Sequence, residues 1–201
     1  MEASFLSRHP LVKDGLNLAL FVGLVIIGTI LINTFVFRSY NVVGPSMEDT
    51  LHTGDRVLVN RVPVTIAHIK GENYIPERGQ VIVFENPQVT AVGNVENKYI
   101  VKRVIAYPRE RVVLEDGTFT VFNEENPDGF NPDELTKDVT ATETTGEVDV
   151  VVPENEIFVT GDHREGTYSY DSRNGLGTIP LYDIIGPASM RIFPLTKVRF
   201  F

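Results

Sequence analysis

Two side chains in the first half of the chain have the chemistry of a nucleophile and a base. Ser46 follows Gly-Pro at the end of the predicted strand YNVV, so its hydroxyl and its backbone N–H lie in a tight turn, outside the strand ladder. Such a free N–H can stabilise an oxyanion. Lys102 lies in the predicted strand YIVKRVIAY, where apolar neighbours disfavour the charged form of its amine. Taken alone, Ser46 is more simply interpreted as a plain turn serine, and Lys102 as a surface lysine on an edge strand.

A third segment, near the C-terminus, is rich in charged and hydroxyl side chains. It contains GDHR followed by SYDSR, within residues 161–173, and it comes directly after a predicted strand. Two Asp-x-Arg spacings, Asp162 with Arg164 and Asp171 with Arg173, predict ion pairs that fix the geometry of the loop. The pattern fits a scaffold for a site, but a solvated surface loop is the simpler interpretation of this segment taken alone.

The elements that must position these residues are short strands. Runs rich in Val, Ile, Tyr and Phe are separated by turn signals such as Gly-Asp, Asp-Gly and Pro-Asp-Gly, which is typical of antiparallel sheets and not of βαβ units. The predicted strands cover residues 40–43, 56–60, 80–85, 99–107, 111–115, 119–122, 148–152 and 156–162. The final FPLTKVRFF predicts a closing strand, and the polar residues 123–146 predict a loop or small insertion. The sequence therefore predicts a mostly β fold.

A membrane anchor is predicted at residues 15–37, which contain no charged residue. A helix of this length spans about 34 Å, enough for the hydrocarbon core of a bilayer. A cleaved signal peptide would have a shorter apolar region and small residues at its end, and a buried core helix would carry a polar stripe. The basic residues Arg8 and Lys13 slightly favour a cytoplasmic N-terminus. We therefore predict a cytoplasmic tail at 1–14 and an extracytoplasmic domain at 38–201.

Composition and charge exclude several other classes of function. The 201 residues include 18 Lys and Arg, 27 Asp and Glu and no Cys, with a net charge of −9. Disulfide and Cys-nucleophile chemistry are excluded, and a nucleic-acid partner is not expected because it needs a basic surface. The four His are far apart in sequence, so we expect no metal site. Residues 110–156 carry 14 acidic and two basic residues, which predicts a solvated acidic segment or, as the alternative, an acidic docking surface.

Taken together and in this order, the motifs resemble the bacterial type I signal peptidases, the membrane-anchored Ser–Lys peptidases. An N-terminal anchor precedes four motifs: GPSMEDTL (44–51), GDRVLVN (54–60), KRVIAYP (102–108) and GDHREGTYSYDSR (161–173). The resemblance implies an endopeptidase that removes signal peptides from exported preproteins after small residues of the Ala-x-Ala type. It also implies that the enzyme needs no cofactor, acts at the plasma membrane as a single-pass protein, and contacts membrane lipid and signal peptides.

The resemblance implies a role for each residue of these motifs. Ser46 matches the nucleophile, Lys102 the general base, and Ser169 the hydroxyl that orients the lysine amine. The supporting positions are Arg103, which follows the base, and Asp171 and Arg173, which form an ion pair. Four residues precede Ser169 where the family has two, so Thr167 and Ser172 are the alternatives for the orienting hydroxyl. In the first motif, Asp49 replaces the usual Pro.

The same comparison implies the substrate contacts. Met47 and Leu51 match positions that shape the pocket for the small residue before the cut, and we place Ile100 in the same pocket. An extended peptide is expected to add to strand edges that include Val42 and Val101. Gly44 matches the second oxyanion donor of the family, and because it has no side chain only its backbone could donate.

Overall fold

The structure is a computed structural model that describes residues 9–86, 98–136, 139 and 143–201. Residues 1–8 of the predicted tail and part of the predicted insertion lie outside this set. Helix α1 spans Pro10–Leu31 and continues as a π-helix over Ile32–Val36. The most apolar 18-residue window of this 27-residue segment has a mean hydropathy of 2.5 and is not buried, and by length and composition the segment could cross a membrane. Strand β1, at Phe37–Asn41, follows the helix without a loop.

The larger sheet has eight strands, and all of its pairs are antiparallel. Its strand order is β1-β2-β10-β3-β4-β8-β9, with β11 paired to β10. The bounds are β1 Phe37–Asn41, β2 Arg56–Asn60, β3 Val81–Glu85, β4 Tyr99–Ala106, β8 Glu156–Thr160, β9 Ile179–Pro180, β10 Ile184–Phe193 and β11 Arg199–Phe200. The mostly β, antiparallel fold with one N-terminal apolar helix confirms the fold class predicted from the sequence.

A second sheet of three strands, in the order β6-β5-β7, packs on the first. Its strands are β5 Arg111–Glu115, β6 Thr118–Phe122 and β7 Val148–Val151. Side chains from both sheets share one apolar cluster, including Ile105, Phe119 and Phe158. The part of the insertion that the structure describes folds back on this sheet through a bridge between Val121 and Phe130 and a 3₁₀ turn at Pro132–Leu135.

The acidic segment is less solvated than its composition predicts. Glu110 is buried and forms a 2.7 Å ion pair with Arg78, and Asp133 pairs with the buried Arg164. The interpretation as a solvated acidic segment is therefore wrong at these two positions. Their carboxylates are counter-ions for buried guanidinium groups, and a composition count cannot detect such pairing.

Several elements of the fold differ from the predicted ones, among them β1, which spans Phe37–Asn41 where residues 40–43 were predicted. Strand β10 has no counterpart in the prediction, because Gly186-Pro187 interrupts its pattern and Pro lacks the N–H of a regular ladder. A bulge at Gly186 accommodates this interruption. Helix α2, at Val62–Lys70, was not predicted either; it ends at Gly71, whose φ of 73° is a left-handed cap. The closing strand is shorter than predicted, since a 3₁₀ turn at Leu195–Lys197 precedes β11.

Candidate active site

Ser46 lies in the turn between β1 and β2, and buried side chains hold this turn in place. Met47 and Leu51 are fully buried and are joined by a 2.8 Å backbone hydrogen bond. The N–H of Ser46 donates no hydrogen bond within the part of the chain that the structure describes, while the N–H of Gly44 donates to Thr53 Oγ1 at 3.0 Å. Of these two N–H groups, that of Ser46 is therefore the one available to an oxyanion.

Lys102 reaches Ser46 from the middle of β4. Its Nζ lies 2.7 Å from Ser46 Oγ and 3.0 Å from the carbonyl oxygen of Val101. The side chain is 3% exposed, and this burial lowers the pKa of the amine to about 8, although the nearby Asp171 and Asp162 act to raise it. The arrangement thus joins a hydroxyl to an amine whose pKa is close to neutral, which is the requirement for a lysine to act as a base.

The last motif is fixed by a buried ion pair next to the Ser46 turn. Asp171 and Arg173 form a pair at 2.8 Å, and both side chains are fully buried. The Asp171 carboxylate also accepts a 2.9 Å hydrogen bond from the N–H of Gly161. Gly161 is closely packed, because a methyl group at its Cα would collide with the Ser46 carbonyl oxygen and with Ser169 Oγ. The backbone at Gly161 therefore brings the last motif against the Ser46 turn.

Three hydroxyl groups are candidates for orienting Lys102, and they differ in burial and in hydrogen-bond partners. Ser169 is fully buried against Gly161, and its Oγ has no hydrogen-bond partner among the described residues. Ser172 Oγ accepts from the N–H of Val159 and donates to the carbonyl of Gly177, and Thr167 is exposed. Ser169 is therefore the buried hydroxyl of the three that remains available for a partner.

The other ion pair predicted in this loop, Asp162 with Arg164, is wrong. Asp162 does not pair with Arg164 but with Arg103, through two hydrogen bonds of 2.7 and 2.6 Å. The pairing of β4 with β8 places Arg103 opposite Thr160, so Asp162 lies beside Arg103 just beyond the end of β8. Arg164 instead points to the insertion and pairs with Asp133.

The predicted pocket residues fall in two groups. Val42, Met47, Leu51 and Val101 meet in one apolar cluster next to the Ser46 turn. Ile100 packs against a different cluster, formed with strands β3 and β8. Neighbouring residues on a strand point to opposite faces, which explains why Ile100 and Val101 separate.

Sequence reasoning missed three contributors to the site. Gly161 was noted only as part of a motif, and the partners Asp133 and Asp162 were not connected to Arg164 and Arg103. A signal existed for Asp162, because it occupies a charged motif, but its partner is 59 residues away along the chain. For Asp133, in a polar acidic stretch, the sequence offers no signal.

Comparison with known proteins supports the resemblance. A sequence profile described as signal peptidase, peptidase S26, matches residues 15–193. Signal peptidase I of Bacillus licheniformis is 30% identical over 172 residues, which cover 85% of this chain and 84% of that protein. Signal peptidase I S of Bacillus subtilis (strain 168) is 32% identical over 200 residues, which cover 93% and 94%. A crystal structure of a signal peptidase I from Enterococcus faecalis V583 aligns with 57% of this chain and 97% of its own, at 24% identity and a TM-score of 0.42. Because the profile and the relatives each cover most of the chain, this protein belongs to the signal peptidase family, peptidase S26.

Proposed function

We propose that this protein is a membrane-anchored endopeptidase that removes signal peptides from exported preproteins, with Ser46 as nucleophile and Lys102 as general base. The observation that carries the proposal is the 2.7 Å contact between Lys102 Nζ and Ser46 Oγ, made by an amine that is almost completely buried. A lysine at its ordinary pKa would be protonated at neutral pH and unable to accept a proton. Burial supplies the unprotonated form, so that no histidine is needed.

The proposed reaction has two steps. Ser46 Oγ bonds to the carbonyl carbon of the scissile peptide while its proton moves to Lys102 Nζ. The N–H of Ser46 stabilises the negative charge on the carbonyl oxygen. The carbon–nitrogen bond then breaks, Lys102 returns the proton to the leaving amine, and an ester on Ser46 remains. Water attacks this ester, Lys102 takes the proton from the water, and Ser46 Oγ leaves with that proton as the free acid is released.

Ser169 is proposed to orient the Lys102 amine, and Asp171 and Arg173 to hold the segment that carries it. The fully buried Ser169 Oγ lies near the Ser46 carbonyl and lacks a partner among the residues described, which supports this role over Thr167 and Ser172. Arg103, through Asp162, holds the other side of the same motif.

The substrate is proposed to bind as an extended strand between β1 and the start of β4. Strand β1 is at the edge of the larger sheet, and β8 pairs with β4 only from Arg103 onward, so among the described residues no further strand covers β1 or the start of β4. The rings of Tyr40 and Tyr99 are 4.9 Å apart, which brings the two edges close together. The apolar cluster around Met47 and Leu51 then selects a small side chain before the cut.

The anchor is proposed to place this domain on the extracytoplasmic side of the plasma membrane in a single pass. Because the chain has no Cys, the exposed Thr118 can be replaced by a unique thiol, Thr118→Cys. A membrane-impermeant maleimide should label it equally in intact and in lysed cells. Labelling only after lysis would place the domain in the cytoplasm.

The test of the proposed function is preprotein processing in detergent and in liposomes. Wild type and Ser189→Ala, which alters a serine on β10 outside the four motifs, should release the signal peptide, and Ser46→Ala should not. Replacing the Ala before the cut by Leu should slow cleavage about 5- to 150-fold, because overpacking costs about 1–3 kcal/mol. EDTA should have no effect. Binding of preprotein by wild type without cleavage would instead indicate a catalytically inactive binding domain.

A further inference from the structure

Arg164 is a buried cation whose counter-ion comes from the insertion between β6 and β7. Its guanidinium forms hydrogen bonds of 2.5 and 2.6 Å with the Asp133 carboxylate and lies over the ring of Phe119. The side chain is 1% exposed, and an arginine does not lose its charge in a protein. A buried guanidinium needs its counter-ion, so the position of Asp133 determines where Arg164 can lie.

Arg164 transmits this constraint to the site through Gly161. The Nε–H of Arg164 donates to the Gly161 carbonyl oxygen at 2.9 Å, while the N–H of Gly161 donates to Asp171. The same glycine is packed against the Ser46 carbonyl and Ser169 Oγ so closely that no side chain fits. A shift of Arg164 would therefore move the backbone of Gly161, which contacts Ser46 and Ser169.

The insertion holds the loop at a second point as well. The N–H of Thr145 donates to the Arg164 carbonyl at 3.1 Å, and the Thr145 Oγ1 accepts a 3.0 Å hydrogen bond from the N–H of Gly166. Arg173 in turn donates to the carbonyl oxygens of Thr145 and Arg164. Asp133 thus belongs to a set of contacts that connects the acidic insertion to the last motif.

We propose that Asp133 is a positioning residue for the Ser46–Lys102 site, acting through Arg164 and Gly161 from an insertion that carries no catalytic group itself. The inference rests on the proposed function and extends it, because it gives a role to part of the acidic segment. Its consequence is that loss of the Asp133 carboxylate should slow the chemical step without weakening substrate binding, since the strand edges and the apolar pocket lie elsewhere.

A matched pair of substitutions in the full-length protein tests the proposal. Asp133→Asn and Glu134→Gln each remove one negative charge from the same 3₁₀ turn, but Glu134 is exposed and Asp133 holds Arg164. For Asp133→Asn, kcat on a peptide substrate should fall about 10- to 100-fold with KM within about twofold, because small misplacements of reacting groups cost this much. Glu134→Gln should match wild type. Equal kcat in the two variants would overturn the proposal.

Hydrogen exchange provides a readout that does not depend on activity. In Asp133→Asn, amides of residues 161–173 and 46–51 should exchange faster than in Glu134→Gln. Unchanged exchange would overturn the inference even if wild type proves inactive on preproteins. Faster exchange with an unchanged kcat would mean that Asp133 has only a structural role, and it would also overturn the inference. If Asp133→Asn does not fold, the test uses Asp133→Glu, which keeps the charge on a side chain one methylene group longer. This variant must then show the fall in kcat at constant KM.

Discussion

Strand β4 carries two buried basic residues next to each other, Lys102 and Arg103, and they differ in their hydrogen-bond and ion-pair partners. Arg103, 2% exposed, has a carboxylate partner in Asp162 and a further hydrogen bond to the Gly79 carbonyl. Lys102, 3% exposed, has no carboxylate within 4.0 Å in the described part of the chain, and its amine contacts a hydroxyl and a carbonyl oxygen. The charge of Arg103 is balanced by an ion pair, whereas burial without such a pair lowers the pKa of Lys102.

The difference shows what the proposed base, Lys102, requires from its surroundings. An ion pair like that of Arg103 would hold the Lys102 amine in its charged form and abolish its basicity. The fold instead accepts an energetic cost at this position. The difference between an ordinary pKa of 10.5 and one of about 8 corresponds to about 3 kcal/mol against the folded state at neutral pH. The neighbouring ion pair stabilises the loop that surrounds the site.

The largest effect is expected from removing the unpaired cation. Lys102→Ala should lower kcat at least about 10⁴-fold, and the double variant with Ser46→Ala should be no worse, because the two residues act as a unit. Lys102→Arg should be equally inactive, since a guanidinium cannot accept the proton. Lys70→Ala, at an exposed helix end, is the control and should keep full activity. Single-turnover cleavage of a peptide measures all four, and activity in Lys102→Arg would contradict the assigned base.

A smaller effect, on stability, is expected from breaking the paired cation. Asp162→Ala leaves Arg103 buried and uncompensated, which should cost about 3–5 kcal/mol in the free energy of unfolding. Denaturant titration measures this loss. The control is Asp149→Ala, which removes a carboxylate from an exposed ion pair with Arg111 and should leave the midpoint nearly unchanged. Equal midpoints for Asp162→Ala and Asp149→Ala would show that burial of the Arg103 pair does not matter.

How much of the contrast between Lys102 and Arg103 can be predicted from the sequence depends on how far apart the interacting residues lie along the chain. The apolar neighbours of Lys102 predicted that its charged form is disfavoured, and the Gly-Pro turn placed Ser46 outside the strand ladder, because both features are local. The partners of the two arginines are not local: Asp162 lies 59 residues from Arg103, and Asp133 lies 31 residues from Arg164. Such pairs depend on which strands lie side by side, and β10, which joins β2 to β3, was itself not predicted.

The next effect in size concerns pH, and it should have opposite signs for activity and stability. The pKa of Lys102 is about 8 when folded and 10.5 when unfolded, so the unfolded chain binds more protons between these values and stability rises with pH in this window. Lys102→Met should therefore be more stable than wild type by up to about 3 kcal/mol below pH 8, and the gain should vanish above pH 10.5. Thermal unfolding from pH 6 to 11 checks this.

Over the same range, kcat/KM of wild type should fall about tenfold per pH unit below pH 8, because the protonated amine cannot accept the Ser46 proton. A stability gain of Lys102→Met that does not change with pH would mean that the gain comes from packing and not from the buried charge. A flat activity profile down to pH 5 would mean that another group is the base.

The smallest effect is expected from removing the anchor, because both cations of β4 lie far beyond it in the sequence. A chain that starts at Phe35 keeps the backbone oxygens of Phe35 and Val36, which accept hydrogen bonds from Thr65 and Arg61. Its kcat/KM on a short peptide should match that of the full-length protein within about twofold, and its activity should fall at the same pH.

On preprotein in liposomes, kcat/KM should fall about tenfold or more, because anchoring raises the effective concentration of enzyme and substrate in the bilayer. An unchanged ratio of preprotein to peptide cleavage would show that the helix does not concentrate the enzyme on its substrate. A shifted pH profile would show that the helix contributes to the environment of Lys102, and the contrast between the two cations would then not be a property of the β domain alone.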